Sequence, residues 1–513
     1  MSAALNLWNL VEGGISDNSE GCAIIEGAES YSYREFRNSI ENLELKLPRS
    51  EEPLKIGILT TRSSLAYCAV MLSVKTGNTF VPLNPAFPIS SLNSICELAG
   101  VDVVLSYEKQ TPLIDQIENL KEAERITIKS FRELTHDVNG GLTSKKPHAT
   151  TIAYQMFTSG TTGVPKGVPV SYTSLISYVH TLFKLYPVKN TDRCSQLFDL
   201  NFDLSIHDIF MTIVAGATLV PASDLDLLMP IEYVSKHSLT VWFSVPSMAS
   251  VVRGTKNIDP EKFRSLRLSQ FCGEPLTRTL ANKWLELSPQ SELVNLYGPT
   301  ECTIAVSHRA WGEAEAETSE LRTVPIGSVF EGHRWGVLSE KFTPAEALSG
   351  GQQATGELLI NGPQVFSGYA NKGVSEPFYI ADDGAKYYRT GDLVAFDGKD
   401  LEHKGRIDDQ VKIRGFRIEL GDVEAKLKRY YANEDIIIVT DRAMNPSGLV
   451  ALITQELEKD FVAPLPENTG LPSYMIPKQV LFVPGFMRNA SGKIDRRGMA
   501  QTFVTDYLLE SDE

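Results

Sequence analysis

Residues 55–83 read KIGILTTRSSLAYCAVMLSVKTGNTFVPL. A short apolar run, Lys55–Thr60, is followed by a serine pair that can cap a helix and by apolar residues at helical spacing. Gly77 then supplies a helix stop, and a second apolar run covers Thr79–Leu83. This order of strand, capped helix, glycine and strand predicts a βαβ unit with two parallel strands.

The same alternation of strand-like and helical or loop-rich segments recurs along the chain. Further strand-like runs cover Val101–Leu105, Ala217–Val220, Thr240–Phe243 and Leu293–Tyr297. Parallel strands that alternate with helices are buried on both faces of their sheet. We therefore predict a large α/β N-terminal domain built from parallel, helix-covered sheets.

The composition and the hydrophobic pattern of the sequence change from about Tyr387 onward. A basic, turn-rich stretch, Gly405–Gly415, leads into residues at helical spacing and then into the strand-like runs Ile436–Val439 and Val450–Ile453. We place a boundary near Asp408, with a large domain over 1–407 and a small α+β domain over 408–513.

Composition limits the function classes. The 513 residues include Lys+Arg 49 and Asp+Glu 64, a formal net charge of -15, which disfavours nucleic acid or an anionic membrane as the main partner. The 6 cysteines form no C-x-x-C pair, which argues against a disulfide framework and a thiolate zinc site. The N-terminus carries no leader pattern and no apolar run is long enough to span a bilayer, so we predict a cytoplasmic protein without membrane insertion.

A glycine- and hydroxyl-rich string, TSGTTGVPKG, covers residues 158–167 and follows the strand-like Ile152–Phe157. Glycines let the backbone approach a ligand, hydroxyls add hydrogen-bond donors, and Lys166 adds positive charge. This combination predicts a loop that binds a polyphosphate. The Walker A pattern G-x-x-x-x-G-K-[ST] does not occur, which disfavours a P-loop NTPase.

The string resembles the phosphate loop of the adenylate-forming superfamily, which includes acyl-CoA synthetases, luciferases and the adenylation domains of nonribosomal peptide synthetases. Further segments resemble its motifs and follow in the same order: Ser32–Phe36, Lys75–Leu83, Phe202–Ser205, Asn295–Glu301, Gly356–Leu358, Tyr388–Asp392, Gly405–Glu419, Leu471–Pro477 and Asn489–Lys493. The resemblance implies a smaller β subdomain within the large domain and a mobile C-terminal lid that turns about Asp408.

The resemblance also implies roles in binding ATP. The residues matching the phosphate loop are Thr158, Ser159, Gly160, Thr161, Thr162, Gly163 and Lys166. Thr300 would contact the α-phosphate, Glu301 would hold Mg²⁺, and Tyr297 would stack on adenine. Asp392 and Arg406 match the residues that reach the ribose. Lys493 matches the lysine that bridges the substrate carboxylate and ATP, where a cation offsets two negative reactants.

Asp203 decides the expected substrate class. A carboxylate in an apolar pocket needs a cation, and in the amino-acid-activating branch this position pairs with the substrate ammonium. By itself, Asp203 could equally cap the helix that begins near Ser205. The other positions that match the pocket are Leu204, His207, Phe243, Gln270, Cys272, Gly273, Leu296, Ile304 and Ala305.

Phe243 and Leu296 would limit the depth of this pocket, while His207 and Gln270 add polar edges, so we predict a small amino acid. The segments around Phe243 and Cys272 resemble D-alanine:carrier-protein ligases. His207 and Gln270, however, depart from the apolar residues expected there, which disfavours alanine and leaves serine, cysteine, proline and non-proteinogenic amino acids open. We find no phosphopantetheine attachment pattern after Lys493, so the predicted acceptor is a separate carrier protein. A coenzyme-A ligase for a small acid and a non-catalytic nucleotide-binding protein are the alternatives.

Overall fold

The structure is a computed structural model that describes residues 3–137, 152–158, 165–255, 257–312, 321–348, 352–371, 377–431, 433, 435–443, 446–454, 464–488 and 494–504. The chain divides into two compact units. The first comprises Met1–Pro85, Cys96–Met156 and Gly167–Ile407, and the second comprises Ala86–Ile95, Phe157–Lys166 and Asp408–Glu513.

The strands are numbered in chain order. They are β1 Cys22–Glu26, β2 Glu29–Ser32, β3 Lys55–Leu59, β4 Thr79–Leu83, β5 Val103–Tyr107, β6 Glu124–Ile128, β7 Ile152–Thr158, β8 Lys166–Ser171, β9 Arg193–Gln196, β10 Thr218–Pro221, β11 Val241–Ser244, β12 Leu268–Phe271, β13 Glu292–Tyr297, β14 Ser307–Trp311, β15 Ser328–Val329, β16 Arg334–Leu338, β17 Phe342–Pro344, β18 Ala354–Asn361, β19 Phe378–Ile380, β20 Lys386–Phe396, β21 Leu401–Arg406, β22 Gln410–Ile413, β23 Phe416–Glu419, β24 Ile436–Thr440, β25 Leu449–Ile453 and β26 Gln479–Phe482.

The α-helices follow the same convention. They are α1 Ala3–Asp17, α2 Tyr33–Lys46, α3 Ser64–Thr76, α4 Ile89–Ala99, α5 Thr111–Ile114, α6 Tyr172–Leu185, α7 Leu204–Val214, α8 Asp224–Leu228, α9 Pro230–His237, α10 Pro246–Ala249, α11 Val251–Gly254, α12 Arg278–Leu287, α13 Leu420–Tyr431, α14 Pro466–Thr469 and α15 Arg496–Phe503. Short 3-10 turns cover Glu108–Gln110, Glu118–Leu120, Phe131–Leu134, Pro260–Phe263, Thr300–Cys302, Ala345–Leu348 and Ser473–Met475.

Three sheets organise the first unit. A nine-stranded sheet has the order β15-β14-β13-β12-β11-β9-β10-β1-β2 and is parallel from β13 to β1. A six-stranded sheet has the order β6-β5-β3-β4-β7-β8 and is parallel from β6 to β7. Helix α1 packs against α3, α6 and α7. The predicted large α/β domain with parallel, helix-covered sheets is confirmed.

The third sheet of this unit is antiparallel. Its order is β17-β16-β18-β20-β19, and β21 pairs with β20. Because its strands follow one another closely in sequence, short connections are sufficient to join them. This sheet is the smaller β subdomain that the resemblance implied.

The βαβ unit predicted from residues 55–83 is confirmed. Strands β3 and β4 are parallel, with Lys55 opposite Thr79. The Ser63 side chain accepts a hydrogen bond from the backbone N–H of Ala66 at the start of α3. At the end of α3, Gly77 adopts the left-handed conformation, with a φ of 69°, where a residue without Cβ carries no steric penalty.

The second unit contains a hairpin and a small three-stranded sheet. Strands β22 and β23 are antiparallel, β24 and β25 are antiparallel, and β26 is parallel to β25. Helices α13 and α15 both pack against β24, so apolar cores lie on this sheet around Ile438 and around Val439. The predicted small α+β C-terminal region is confirmed. Within the described ranges, no helix has both the length and the apolar composition needed to cross a membrane.

Asp208, on α7, is a carboxylic acid inside the core of the first unit. It is 3% exposed, and its Oδ2 atom has no hydrogen-bond partner among the described residues. Burial raises its pKa well above the ordinary value. The folded chain therefore binds this proton more tightly than the unfolded chain, so the contribution of Asp208 to the free energy of unfolding falls as the pH rises above about 4.

We expect Asp208→Asn to become more stable relative to the wild type as the pH rises from 5 to 8. The asparagine amide does not ionise, so its contribution to the free energy of unfolding does not fall with pH as that of Asp208 does. Each pKa unit is equivalent to about 1.4 kcal/mol, which is about 3–6 °C in Tm on the scale of a domain of 150–250 residues. Calorimetric Tm measurements across this range test the expectation.

Asp226→Asn is the control for this experiment. Burial acts to raise the pKa of Asp226, but hydrogen bonds from Ser223 outweigh it and the net shift is downward. Asp226 is therefore ionised in both states above pH 5, and the Tm difference for its variant should not change with pH. A Tm difference for Asp208→Asn that is equally independent of pH would contradict the prediction.

Candidate functional site

Several residues predicted to line the substrate pocket lie at or near the carboxyl ends of parallel strands, where ligands bind in open α/β sheets. Phe243 on β11 and Gln270 on β12 are register partners in neighbouring strands. The remaining predicted positions lie on α7, at the end of β12, on β13 and after the turn Thr300–Cys302. Among them Leu204, His207, Phe243, Gln270, Cys272, Leu296, Ile304 and Ala305 are all buried.

Three buried side chains near these strand ends form a hydrogen-bonded chain. The Tyr178 hydroxyl, on α6, lies 2.6 Å from His207 Nδ1, and His207 Nε2 lies 3.1 Å from Gln270 Oε1. The His207 ring is 4.1 Å from the Phe243 ring, centroid to centroid. We call Tyr178, His207 and Gln270 the pocket relay.

The relay is electrically neutral. Burial lowers the pKa of His207 to about 3, although the hydrogen bond with Gln270 acts in the opposite direction. A neutral imidazole carries one N–H, and an amide oxygen only accepts. Nε2 therefore carries the hydrogen and donates to Gln270, while Nδ1 accepts from the Tyr178 hydroxyl. Burial and nearby negative groups raise the pKa of Tyr178 well above its ordinary value, so it stays a donor.

Asp203 lies at the N-terminus of α7, one residue before the pocket residue Leu204. Although it occupies the N-cap position, its side chain makes no capping hydrogen bond. Burial, and after it the negative charge of Asp203, raises the pKa of Tyr154 on β7 well above its ordinary value. The helix-capping interpretation of Asp203 therefore finds no support in its hydrogen bonds.

Asp392 is the centre of a second polar cluster. Its Oδ2 atom accepts from the Tyr297 hydroxyl at 2.5 Å, and its Oδ1 atom accepts from Arg406 Nη1 at 2.8 Å. His403 Nε2 lies 3.3 Å from the same Oδ1. Strand β20 carries Asp392 and β21 carries Arg406, and the two residues are register partners. The structure therefore brings together three residues predicted to bind the nucleoside: Tyr297, Asp392 and Arg406.

Glu301 is buried, and its Oε1 atom accepts a hydrogen bond from the Tyr369 hydroxyl at 2.8 Å. The backbone after it is strained, because Thr303 and Ile304 have φ values of 58° and 71°, a region that β-branched residues rarely enter. A Cβ on Gly298 would lie 2.6 Å from Ala305 Cα, so only glycine permits this close approach. Such strain is typical of functional sites, where the surrounding structure maintains it.

The remaining predicted site residues are placed as follows. Thr158 ends β7 and Lys166 begins β8, while Ser159, Gly160, Thr161, Thr162 and Gly163 lie outside the described residues, as does Lys493. Thr300 begins its 3-10 turn and is partly exposed. Asp408 is the first residue of the second unit after Ile407, and its Oδ1 atom accepts from the Gln410 N–H.

Comparison with known proteins identifies the family. Residues 16–370 match the AMP-binding enzyme family. The chain belongs to this family.

Several AMP-binding enzymes are similar to the chain over most of its length. A linear gramicidin synthase of Brevibacillus parabrevis is 30% identical over 86% of the chain, which spans 6% of that synthase. A D-alanine--D-alanyl carrier protein ligase of Bacillus mycoides is 28% identical, with 83% of this chain and 84% of that protein covered.

A solved structure extends the similarity to the fold. The Vibrio cholerae adenylation domain AlmE, in complex with glycyl-adenosine-5'-phosphate, has a TM-score of 0.83 at 28% identity and covers 97% of each chain. The predicted membership of the adenylate-forming superfamily is therefore confirmed. The chain is similar both to adenylation domains of peptide synthetases and to a D-alanine:carrier-protein ligase.

Sequence reasoning missed three polar residues at the site of this AMP-binding enzyme: Tyr178, Tyr369 and His403. Each hydrogen-bonds a predicted site residue, respectively His207, Glu301 and Asp392. Tyr178 lies on the buried face of α6, where a tyrosine is ordinarily a core residue, and no local pattern marks any of the three. These three residues can be recognised only from their hydrogen bonds with predicted site residues in the folded structure.

Proposed function

We propose that this chain activates a small amino acid as aminoacyl-AMP and then transfers the aminoacyl group to the phosphopantetheine thiol of a separate carrier protein. The observation that carries the proposal is Asp203. Asp203 immediately precedes Leu204, a predicted pocket residue, and its side chain makes no capping hydrogen bond to α7. A carboxylate at a largely apolar site favours a ligand that brings a cation, which an amino acid does through its ammonium group.

The first half-reaction forms a bond between a carboxylate oxygen of the amino acid and the α-phosphorus of ATP, and pyrophosphate leaves. The residues proposed to bind the phosphates are Thr158, Ser159, Gly160, Thr161, Thr162, Gly163, Lys166 and Thr300. Lys493 is proposed to sit between the two negative reactants. Cations and donors at this position stabilise the charge that develops in the transition state.

Glu301 is proposed to hold Mg²⁺. The described ranges contain no group of three or more His, Cys, Asp or Glu side chains that could hold a metal ion. Magnesium, however, commonly binds through one or two carboxylates together with substrate phosphates, so a single buried carboxylate such as Glu301 fits this ion. When bound, Mg²⁺ would neutralise charge on the phosphate oxygens.

Tyr297, Asp392 and Arg406 are proposed to bind the nucleoside. The Asp392 carboxylate offers two acceptor oxygens for ribose hydroxyls, and its hydrogen bonds with Tyr297 and Arg406 fix its orientation before ATP arrives. The Tyr297 ring is proposed to stack on adenine. Orientation before binding lowers the entropic cost of forming the complex.

In the second half-reaction, the thiol sulfur of the carrier forms a thioester with the aminoacyl carbonyl carbon, the bond to AMP breaks, and the thiol proton leaves. We propose that the region after Asp408 turns about this residue between the two half-reactions. AlmE was solved with a glycyl-adenylate, and the Bacillus mycoides relative is a carrier-protein ligase. These relatives support the choice of a small amino acid and of a carrier acceptor.

Exchange of labelled pyrophosphate into ATP tests the first half-reaction. We expect exchange that depends on Mg²⁺ and on a small L- or D-amino acid. Acetate, propionate and longer acids without an ammonium group should give none. Exchange with plain acids alone would contradict the proposal and favour a coenzyme-A ligase, and exchange with neither class would favour a non-catalytic nucleotide-binding protein.

A further inference from the structure

The amide nitrogen of Gln270 is a buried donor that the pocket relay leaves unused. Gln270 is 1% exposed, and its Oε1 atom is engaged by His207. Its Nε2 atom has no hydrogen-bond partner among the described residues. A buried donor without a partner costs free energy, and such groups in native structures commonly serve a ligand or a water molecule.

The relay fixes the orientation of this donor. With His207 hydrogen-bonded to Oε1, the Nε2 atom of the same amide points away from the His207 ring. Tyr178 holds the far side of the His207 ring, and Phe243 packs against that ring at 4.1 Å. Gln270 is thus held as an oriented donor within the group of predicted pocket residues.

We propose that Gln270 selects a small amino acid whose side chain carries a hydroxyl group, with serine as the simplest member of the class. The hydroxyl oxygen accepts a hydrogen bond from Gln270 Nε2. This inference rests on the proposed function, because it concerns the amino acid that is adenylated. Tyr178 and His207 act as positioning residues, since they orient the Gln270 amide through hydrogen bonds.

The neutrality and the size of the surroundings favour a hydroxyl over other acceptors. A side-chain carboxylate would bring a second negative charge near Asp203, and the neutral relay offers no cation to compensate it. Rings crowd the same region, because Phe243 contacts His207 at 4.1 Å and Phe198 at 5.5 Å. A short hydroxyl side chain provides the acceptor with the smallest added volume.

The test compares serine with 2-aminobutyrate, in which a methyl group replaces the hydroxyl at nearly the same size. Both enantiomers of each are used, with glycine and alanine as smaller references. We expect kcat/KM for pyrophosphate exchange to be at least about 10-fold higher with serine, because 2-aminobutyrate would leave Nε2 unpaired.

Two variants test whether the pocket relay causes this preference, and a third variant is the control. Gln270→Leu should bring the ratio of serine to 2-aminobutyrate close to 1, and Tyr178→Phe should lower it by a smaller factor, with KM for ATP unchanged in both. Tyr172→Phe is the matched control on the same helix, since the Tyr172 hydroxyl donates to the Ser73 and Asn78 carbonyl oxygens instead. Its ratio should equal that of the wild type.

The ratio of two substrates does not depend on the fraction of folded enzyme, so a poorly folding variant still gives an answer. Wild-type preference for 2-aminobutyrate, alanine or glycine over serine would overturn the inference while leaving amino-acid adenylation intact. An unchanged ratio in Gln270→Leu would overturn the role of Gln270. Failure of every amino acid, by contrast, would overturn the proposed function itself.

Discussion

Lys493→Ala is expected to slow adenylation by about 10²–10³-fold, the scale of deleting one group that stabilises charge in a transition state. In the proposed mechanism, Lys493 offsets the negative charge of the amino-acid carboxylate and of ATP only while the adenylate forms. Transfer from a supplied aminoacyl-adenylate to a carrier protein should therefore proceed at close to the wild-type rate. Pyrophosphate exchange measures the first half-reaction, and single-turnover loading of a carrier measures the second.

Lys478→Ala is the matched control for this experiment. Lys478 belongs to the same unit and its ammonium group hydrogen-bonds Ser447, so its loss removes an equal charge from a different place. We expect both half-reactions to survive in this variant. If Lys493→Ala impaired the two half-reactions equally, the lysine would be structural, or the region after Asp408 would not alternate between them.

Asp203→Ala should impair amino-acid use far more than ATP use. Removing one partner of a buried ion pair costs about 3–5 kcal/mol, which corresponds to a loss of about 10²-fold to more than 10³-fold in kcat/KM. The loss should be confined to the amino acid, because Asp203 does not belong to the Asp392 cluster. Steady-state kinetics with each substrate varied in turn would separate the two effects.

Asp199→Asn provides a control with the same change in charge. Two Phe-Asp pairs lie just before α7, at 198–199 and 202–203. Asp199 accepts hydrogen bonds from Arg62 at 2.6 Å and from Asn84 at 3.2 Å, so its variant should lose stability while retaining kcat/KM for the amino acid. An Asp203→Ala enzyme with an unchanged specificity constant for the amino acid would show that the carboxylate does not bind the ammonium group.

The residues proposed to bind the nucleotide lie in short contiguous motifs that can be recognised in the sequence. The segments Asn295–Glu301 and Tyr388–Asp392 resemble motifs of the adenylate-forming superfamily, and this resemblance nominated Tyr297, Glu301 and Asp392. The tertiary structure adds that Tyr297 and Asp392, 95 residues apart, share a hydrogen bond. That contact depends on how β13 and β20 are placed, which no local pattern encodes.

For the residues proposed to bind the amino acid, the tertiary structure was more informative than the sequence. The sequence was sufficient to nominate His207 and Gln270 as polar edges, but it left open what they do. Their hydrogen bond joins residues 63 apart, and that between Tyr178 and His207 joins residues 29 apart. Whether a polar side chain contacts substrate or another side chain depends on distances of about 3 Å, which only packing determines.

The sequence alone was thus sufficient for the parallel α/β architecture, the family and the identity of most candidate site residues. Hydrophobic periodicity, helix caps and glycine-rich turns act over a few residues, so they can be recognised in the sequence itself. The tertiary structure alone decided that Asp203 does not cap its helix, that His207 is neutral, and that Gln270 retains an unused donor. These properties depend on burial and on partners distant in sequence, because desolvation and hydrogen bonding are set by the folded surroundings of each group.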